Sequence, residues 1–97
     1  MIVSVTPEAR RELIDGASFY AEQAGAELGL AFIDEFEHAR NLLSINPEMG
    51  AEWRVSARRL PLRRFPYSVI YQLRSGEVRI IALAHQRRRP GYWNHRR

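Results

Sequence analysis

A chain of 97 residues without a cysteine cannot be stapled by disulfides or thiolate-bound metal, so it must fold as one small domain, residues 1–97, around a compact core. Its net charge of +4 conceals a segregation: residues 1–52 carry ten acids against three arginines, net −7, whereas residues 53–97 carry twelve arginines against Glu77 alone, net +11. No apolar run approaches the roughly 18 residues of a membrane span, and the N-terminus lacks the basic-then-apolar order of a signal peptide, so the expectation is a cytoplasmic protein with no membrane partner.

The opening "MIVSV" is rich in β-branched residues and predicts a short strand. Thr6-Pro7 then reads as an N-cap followed by proline at the first helical position. From there Ala9, Leu13, Ala17, Ala21 and Ala24 recur every three or four residues, a narrow stripe of small side chains widened by Ile14 and Tyr20. Gly25 is the stop. Leu28, Phe32, Phe36, Ala39 and Leu43, with Ile33 beside them, form a second stripe that ends at Asn46-Pro47. Helices separated by so few residues must fold back as an antiparallel hairpin, with acids such as Asp34, Glu35 and Glu37 mainly on its outer face.

After "NPEMGAEW" the period falls from about 3.6 to 2 and three strand-like runs follow, "SARRLPLRRF", "YSVIYQLR" and "EVRIIALAH". Ser75-Gly76 joins the last two as a two-residue turn, and Pro61, which cannot donate to a ladder, places the first run at an edge or a bulge. The order of elements gives an α+β fold: an N-terminal strand and an antiparallel helical hairpin packed on a small antiparallel sheet with a C-terminal three-stranded meander. The last two runs are apolar on both faces, since Val69 and Tyr71 alternate with Ile70, and Val78, Ile80 and Ala82 alternate with Ile81 and Leu83. A hairpin covers one face only. The other needs either the segment after Pro90 or a partner chain.

Charge segregation of this strength implies that the second half meets an anion, nucleic acid or acidic protein. The candidates for anion or partner binding are Arg58, Arg59, Arg63, Arg64, Arg87, Arg88 and Arg89, with Tyr92 and Trp93 after the Pro90-Gly91 turn. On strands their side chains alternate, so only a subset can converge; the competing reading is a charged edge that resists aggregation. His85 ends the last run, on the same side as Arg79, Ile81 and Leu83 by strict alternation. Because arginine is no base and the chain has no lysine, proton transfer here falls on His85, on Tyr92 or on a carboxylate from the acidic half. The alternative is a structural His85 whose ring packs on Tyr92 or Trp93. His38, His85 and His95 lack metal-ligand spacing, and neither a metal nor a cofactor is expected.

In this order, "TPEARREL", "FYAEQAGAELGLAFIDEF", "NPEMG", "RRLPLRRFPYSVIYQL" and "IIALAHQRRRPGYW" resemble the RelE/ParE superfamily of bacterial toxins from type II toxin–antitoxin modules, which include plasmid stabilisation proteins. The resemblance spans nearly the whole chain. It implies a growth-inhibiting toxin neutralised by a cognate antitoxin in a hetero-oligomer, the antitoxin segment covering exposed apolar sheet. It also implies one of two targets. A RelE-like toxin is a metal-independent endoribonuclease that cleaves messenger RNA on the ribosome: Arg59 and Arg63 or Arg64 would hold phosphate, His85 would move a proton, Arg87 would stabilise the transition state, and Tyr92 would stack or shuttle a proton. A ParE-like toxin inhibits DNA gyrase by binding. The lysines often found on the RelE surface are absent, and the long hairpin with "RRFPYSVIY" and "AHQRRRPGYW" is closer to the ParE-like branch.

Overall fold

The computed structural model describes residues 1–54 and 56–96. Strand β1 (Ile2–Val5) leads into helices α1 (Pro7–Ala24) and α2 (Ala26–Ile45); strands β2 (Ala51–Glu52), β3 (Arg58–Pro61), β4 (Tyr67–Arg74) and β5 (Glu77–His85) follow. They form one five-stranded sheet in the order β1-β5-β4-β3-β2. Strands β3, β4 and β5 are the expected antiparallel meander, and β1 joins it parallel to β5, so the sheet is mixed. A parallel neighbour requires a long crossover, which the two helices supply. The expected run over 56–65 contracts to β3, and the two-residue β2, unforeseen from sequence, pairs with Arg58 and Arg59 only. Pro61 pairs with Ser68 on one side and faces no β2 residue on the other, so its missing N–H breaks no ladder bond.

The helix signals act as their chemistry predicts. The Thr6 Oγ1 accepts from the Ala9 N–H at 3.1 Å, closing the first turn of α1 behind Pro7. Gly25 is the one residue between the helices, at φ +101°, a conformation glycine reaches without a Cβ penalty. A break this short forces the helices together. They meet closely at the buried Gly29, where a Cβ would lie 2.8 Å from the Ala17 carbonyl oxygen and 3.1 Å from the Ala21 methyl.

Two apolar layers result. On the hairpin side, Leu13, Phe32, Phe36 and Leu43 pack on Val69, Tyr71, Val78, Ile80 and Leu83. On the far side, Ile70, Ile81, Ala82 and Ala84 lie under Trp93 and Ala57, with Trp53 and Tyr92 packed against them. The face that wanted either a C-terminal cover or a partner is therefore closed by the chain itself. Burying one tryptophan is worth on the order of 4–6 kcal/mol of transfer free energy, a large share for a small domain.

A β-bulge corrects the expected facing of the last strand. The β4–β5 register passes from Ile70↔Ala82 to Tyr71↔Ile80, leaving Ile81 without an opposite residue. Ile81 and Ala82 both enter the far layer, while Ile80 and Leu83 belong to the hairpin side. Parity thus flips: His85 shares the hairpin side with Leu83 and not with Ile81, opposite Tyr67 on β4.

Alanine gains about 1 kcal/mol of helix propensity over glycine, but a methyl pressed on a backbone oxygen costs about 1–3 kcal/mol in a packed interface. Gly29→Ala should therefore destabilise the fold in urea unfolding, and a more stable variant would show that the hairpin opens freely at this point.

Candidate functional site

Strand β5 outruns β1, and its exposed edge is closed by side chains. Pairing of β1 with β5 reaches Ile80, whose carbonyl also accepts from the Thr6 N–H at 3.0 Å. Beyond it the Leu83 N–H donates to Glu12 Oε1 at 2.9 Å, and the Ile81 carbonyl accepts from Arg96 Nη1 at 3.0 Å. Glu12 also accepts from Arg96 Nη1 at 2.9 Å and Nη2 at 3.2 Å, and from the Tyr92 hydroxyl at 2.6 Å. One carboxylate on α1 therefore holds strand, ring and C-terminal arginine together. The ion pair is largely desolvated, its two side chains 12% and 14% exposed.

Successive turns carry the chain from His85 to this knot. The Gln86 N–H bonds the Pro66 carbonyl at 2.8 Å, and the Arg88 N–H bonds the His85 carbonyl at 2.9 Å. Gly91, at φ +81°, supplies the reversal that sends Trp93 down onto the sheet, where it is 3% exposed.

Between these turns and the far face lies a cleft of about 180 Å³. Arg59, Ser68 and Ala84 line it from the far face of the sheet and His85 from the end of β5; Trp53, Gln86, Arg88, Arg89, Pro90, Tyr92 and Trp93 line it from the loops. It has three guanidinium groups and no carboxylate. The Arg59 guanidinium sits over the Trp53 ring at 4.6 Å and that of Arg88 over Tyr92 at 3.9 Å, while Trp53 meets Trp93 edge to face at 6.1 Å. Stacking of this kind holds an arginine in place without neutralising it, leaving its in-plane donors for an anion.

Of the residues singled out from sequence, the fold brings together Arg59, His85, Arg88, Arg89, Tyr92 and Trp93. Arg58, Arg63 and Arg64 do not line this cleft. Arg58 lies on the hairpin side opposite Tyr71 and donates to the Gly50 carbonyl at 2.7 Å and the Glu48 carbonyl at 3.2 Å, fixing the loop before β2. The backbone N–H groups of Arg63 and Arg64 donate to Glu35 Oε1 at 2.8 and 3.2 Å, so Glu35 caps a loop as well as facing outward. The Arg87 N–H donates to His85 Nδ1 at 3.0 Å, which places the proton of a neutral ring on Nε2. His85 packs edge to face on Tyr67 at 5.0 Å, not on Tyr92 or Trp93. Among the described residues no group of three or more His, Asp or Glu is placed to hold a metal ion.

Sequence reasoning missed Glu12, Trp53 and Arg96. Glu12 stands beside Leu13 and three residues after Ala9, at the margin of the buried α1 stripe, a place where an acid is rarely idle. Arg96 lies beyond the runs singled out from sequence, yet its guanidinium makes three hydrogen bonds, two to Glu12 and one to the Ile81 carbonyl.

Burial first, then the hydrogen bond to Glu12 and its charge, pushes the Tyr92 phenol well above its usual range. Burial also raises Tyr20, Tyr67 and Tyr71. A raised phenol pKa favours the fold below about pH 10, the unfolded value, and that stability is lost as pH rises beyond it. In the native protein Tyr92 should therefore stay protonated at about pH 10, and the tyrosinate absorbance that is missing in Tyr92→Phe should appear only with alkaline unfolding. Ionisation of Tyr92 in the folded protein near that pH would contradict this. Removing the Glu12 charge should cost about 3 kcal/mol by stranding Arg96 in a desolvated site. Glu12→Gln should therefore be strongly destabilised in urea, and adding Arg96→Met should recover part of the loss.

No helix among the described residues is long and apolar enough to cross a membrane. No curated protein sequence matches the chain. In structure it is similar to a chain of the chromosomal ParDE toxin–antitoxin system from P. aeruginosa, at 22% identity and a TM-score of 0.79 over 88% of this chain and 95% of that one, which is a likeness of fold. The sequence model of the ParE toxins of type II toxin–antitoxin systems, parDE, matches residues 3–90, and the chain belongs to that family of toxins.

Proposed function

We propose that this toxin acts by binding and inhibiting DNA gyrase in the cytoplasm, through the arginine–aromatic surface at the end of β5, and is held inactive in a hetero-oligomer with its cognate antitoxin. The observation that carries the reading is the 2.6 Å bond between Tyr92 and Glu12. The cleft's phenol is tied to the Glu12 carboxylate, and Arg96 neutralises that carboxylate. His85 is left as the one cleft residue able to exchange a proton near neutrality, with its Nδ1 already accepting from Arg87. Cleavage of RNA requires both a base for the 2′-hydroxyl and an acid for the leaving oxygen; a gyrase-binding toxin requires neither.

Purified toxin should inhibit supercoiling by gyrase and leave ribosome-bound message intact. His85→Gln keeps an acceptor for the Arg87 N–H and removes proton transfer, so toxicity on induction should persist within a few-fold. General acid–base catalysis contributes about 10²–10⁴-fold, so a loss of that size together with message cleavage would overturn the gyrase reading in favour of an endoribonuclease.

A further inference from the structure

We propose that the arginine–aromatic cleft is a seat for the phosphate backbone of duplex DNA, so that the chain contacts nucleic acid directly and not only through a protein target. The inference stands on the cleft's construction and does not rest on the gyrase reading.

At about 180 Å³ the cleft falls below the roughly 300–1,000 Å³ of a small-molecule site, so it suits a single group projecting from a polymer. Its charge exceeds what one such group would neutralise. Arg59, Arg88 and Arg89 line it without any carboxylate, and Arg54 adds a fourth guanidinium 5.9 Å from the Trp53 ring. Among the described residues none of these four forms an ion pair. A row of anions at regular spacing matches such a surface better than one acid does.

The remaining features separate duplex backbone from two competitors. A peptide that binds by adding a strand or filling an apolar groove finds neither here, so only bare charge would be left to hold an acidic one. Here the open edge of β5 is already occupied at Leu83 and Ile81 by Glu12 and Arg96, and the apolar floor is filled by Trp93. Single-stranded nucleic acid binds by stacking bases on exposed rings. Here Arg59 lies over Trp53 and Arg88 over Tyr92, so guanidinium groups hold the positions bases would take. What remains on offer is a set of positioned fork donors, the chemistry that recognises phosphate irrespective of sequence.

The test is fluorescence anisotropy of a labelled mixed-sequence duplex with the full-length toxin over a salt series. Contact with three phosphates gives a slope of log K on log salt of about −3. Arg59→Gln, Arg88→Gln and Arg89→Gln should each lower that slope by about one and weaken binding equally for unrelated sequences. Arg74→Gln, at the opposite end of β4, makes the same change in net charge and should leave the slope unchanged. Because Trp53 and Trp93 are the only tryptophans and both line the cleft, their intrinsic fluorescence should change on binding. Four results would overturn the proposal: no binding at about 50 mM salt, an Arg74→Gln loss equal to the others, tighter binding of single-stranded oligonucleotide than of duplex, or displacement of the duplex by a polyglutamate peptide at equal charge. The assay contains no gyrase, so its failure and the failure of supercoiling inhibition are separate outcomes.

Discussion

A central strand pair with two apolar faces needs two covers, and this requirement organises the rest of the molecule. The helical hairpin fills one side with Phe32, Phe36 and Leu43. The second cover has to be recruited from the chain ends of the meander, and it arrives as Trp93 from the C-terminal turns and Trp53 from the segment before β3. Trp53 is held by the β2–β3 pairing beside it and by its N–H bond to the Ala57 carbonyl at 2.9 Å. The C-terminal segment has only turns, and its position depends on the burial of its rings and on the bonds that Glu12 sends across from α1 to Tyr92 and Arg96. Of the cleft arginines, Arg88 and Arg89 are carried on the C-terminal covering segment, so their placement is a consequence of closing the sheet, while Arg59 is set by its register on β3.

Glu12 has a second effect through the same geometry. The end of β5 would otherwise present unpaired backbone groups, a template for adventitious strand pairing. The carboxylate supplies the acceptor a neighbouring strand would have supplied to Leu83, and Arg96 supplies the donor to Ile81. Edge protection, attachment of the C-terminal segment and withdrawal of the Tyr92 hydroxyl from proton transfer thus follow from one side chain.

Much of the fold was legible because it is written in local chemistry. Thr6-Pro7 and Gly25 bound the helices through capping and backbone freedom, and the Ala-rich stripe of α1 announced a close neighbour, realised at Gly29. The facing of His85 was not legible. A single unpaired residue, Ile81, reverses the alternation, and nothing in a run of apolar side chains marks which of them will bulge. The site was legible in part for a related reason: the arginine-rich runs on β3 and after β5 were visible, but which arginines meet depends on strand facing, which put Arg59 in the cleft and Arg58 on the other side. Glu12 and Arg96, 84 residues apart, form a contact that no spacing rule reaches.

The composition of the cleft bears on what kind of event it can support. A catalytic surface needs groups that gain and lose protons near neutrality, and such groups work only if their partners leave them free to do so. Arginine stays protonated throughout that range, and a guanidinium held over an indole or phenol ring is committed to presenting charge in a set orientation. With Tyr92 donating to Glu12 and His85 receiving the Arg87 N–H, the cleft's phenol and imidazole are both engaged in holding geometry. Such a surface exchanges chemical versatility for preorganisation. Donors held in this way need little reordering to meet an anion, so more of the interaction free energy of such a contact appears as affinity.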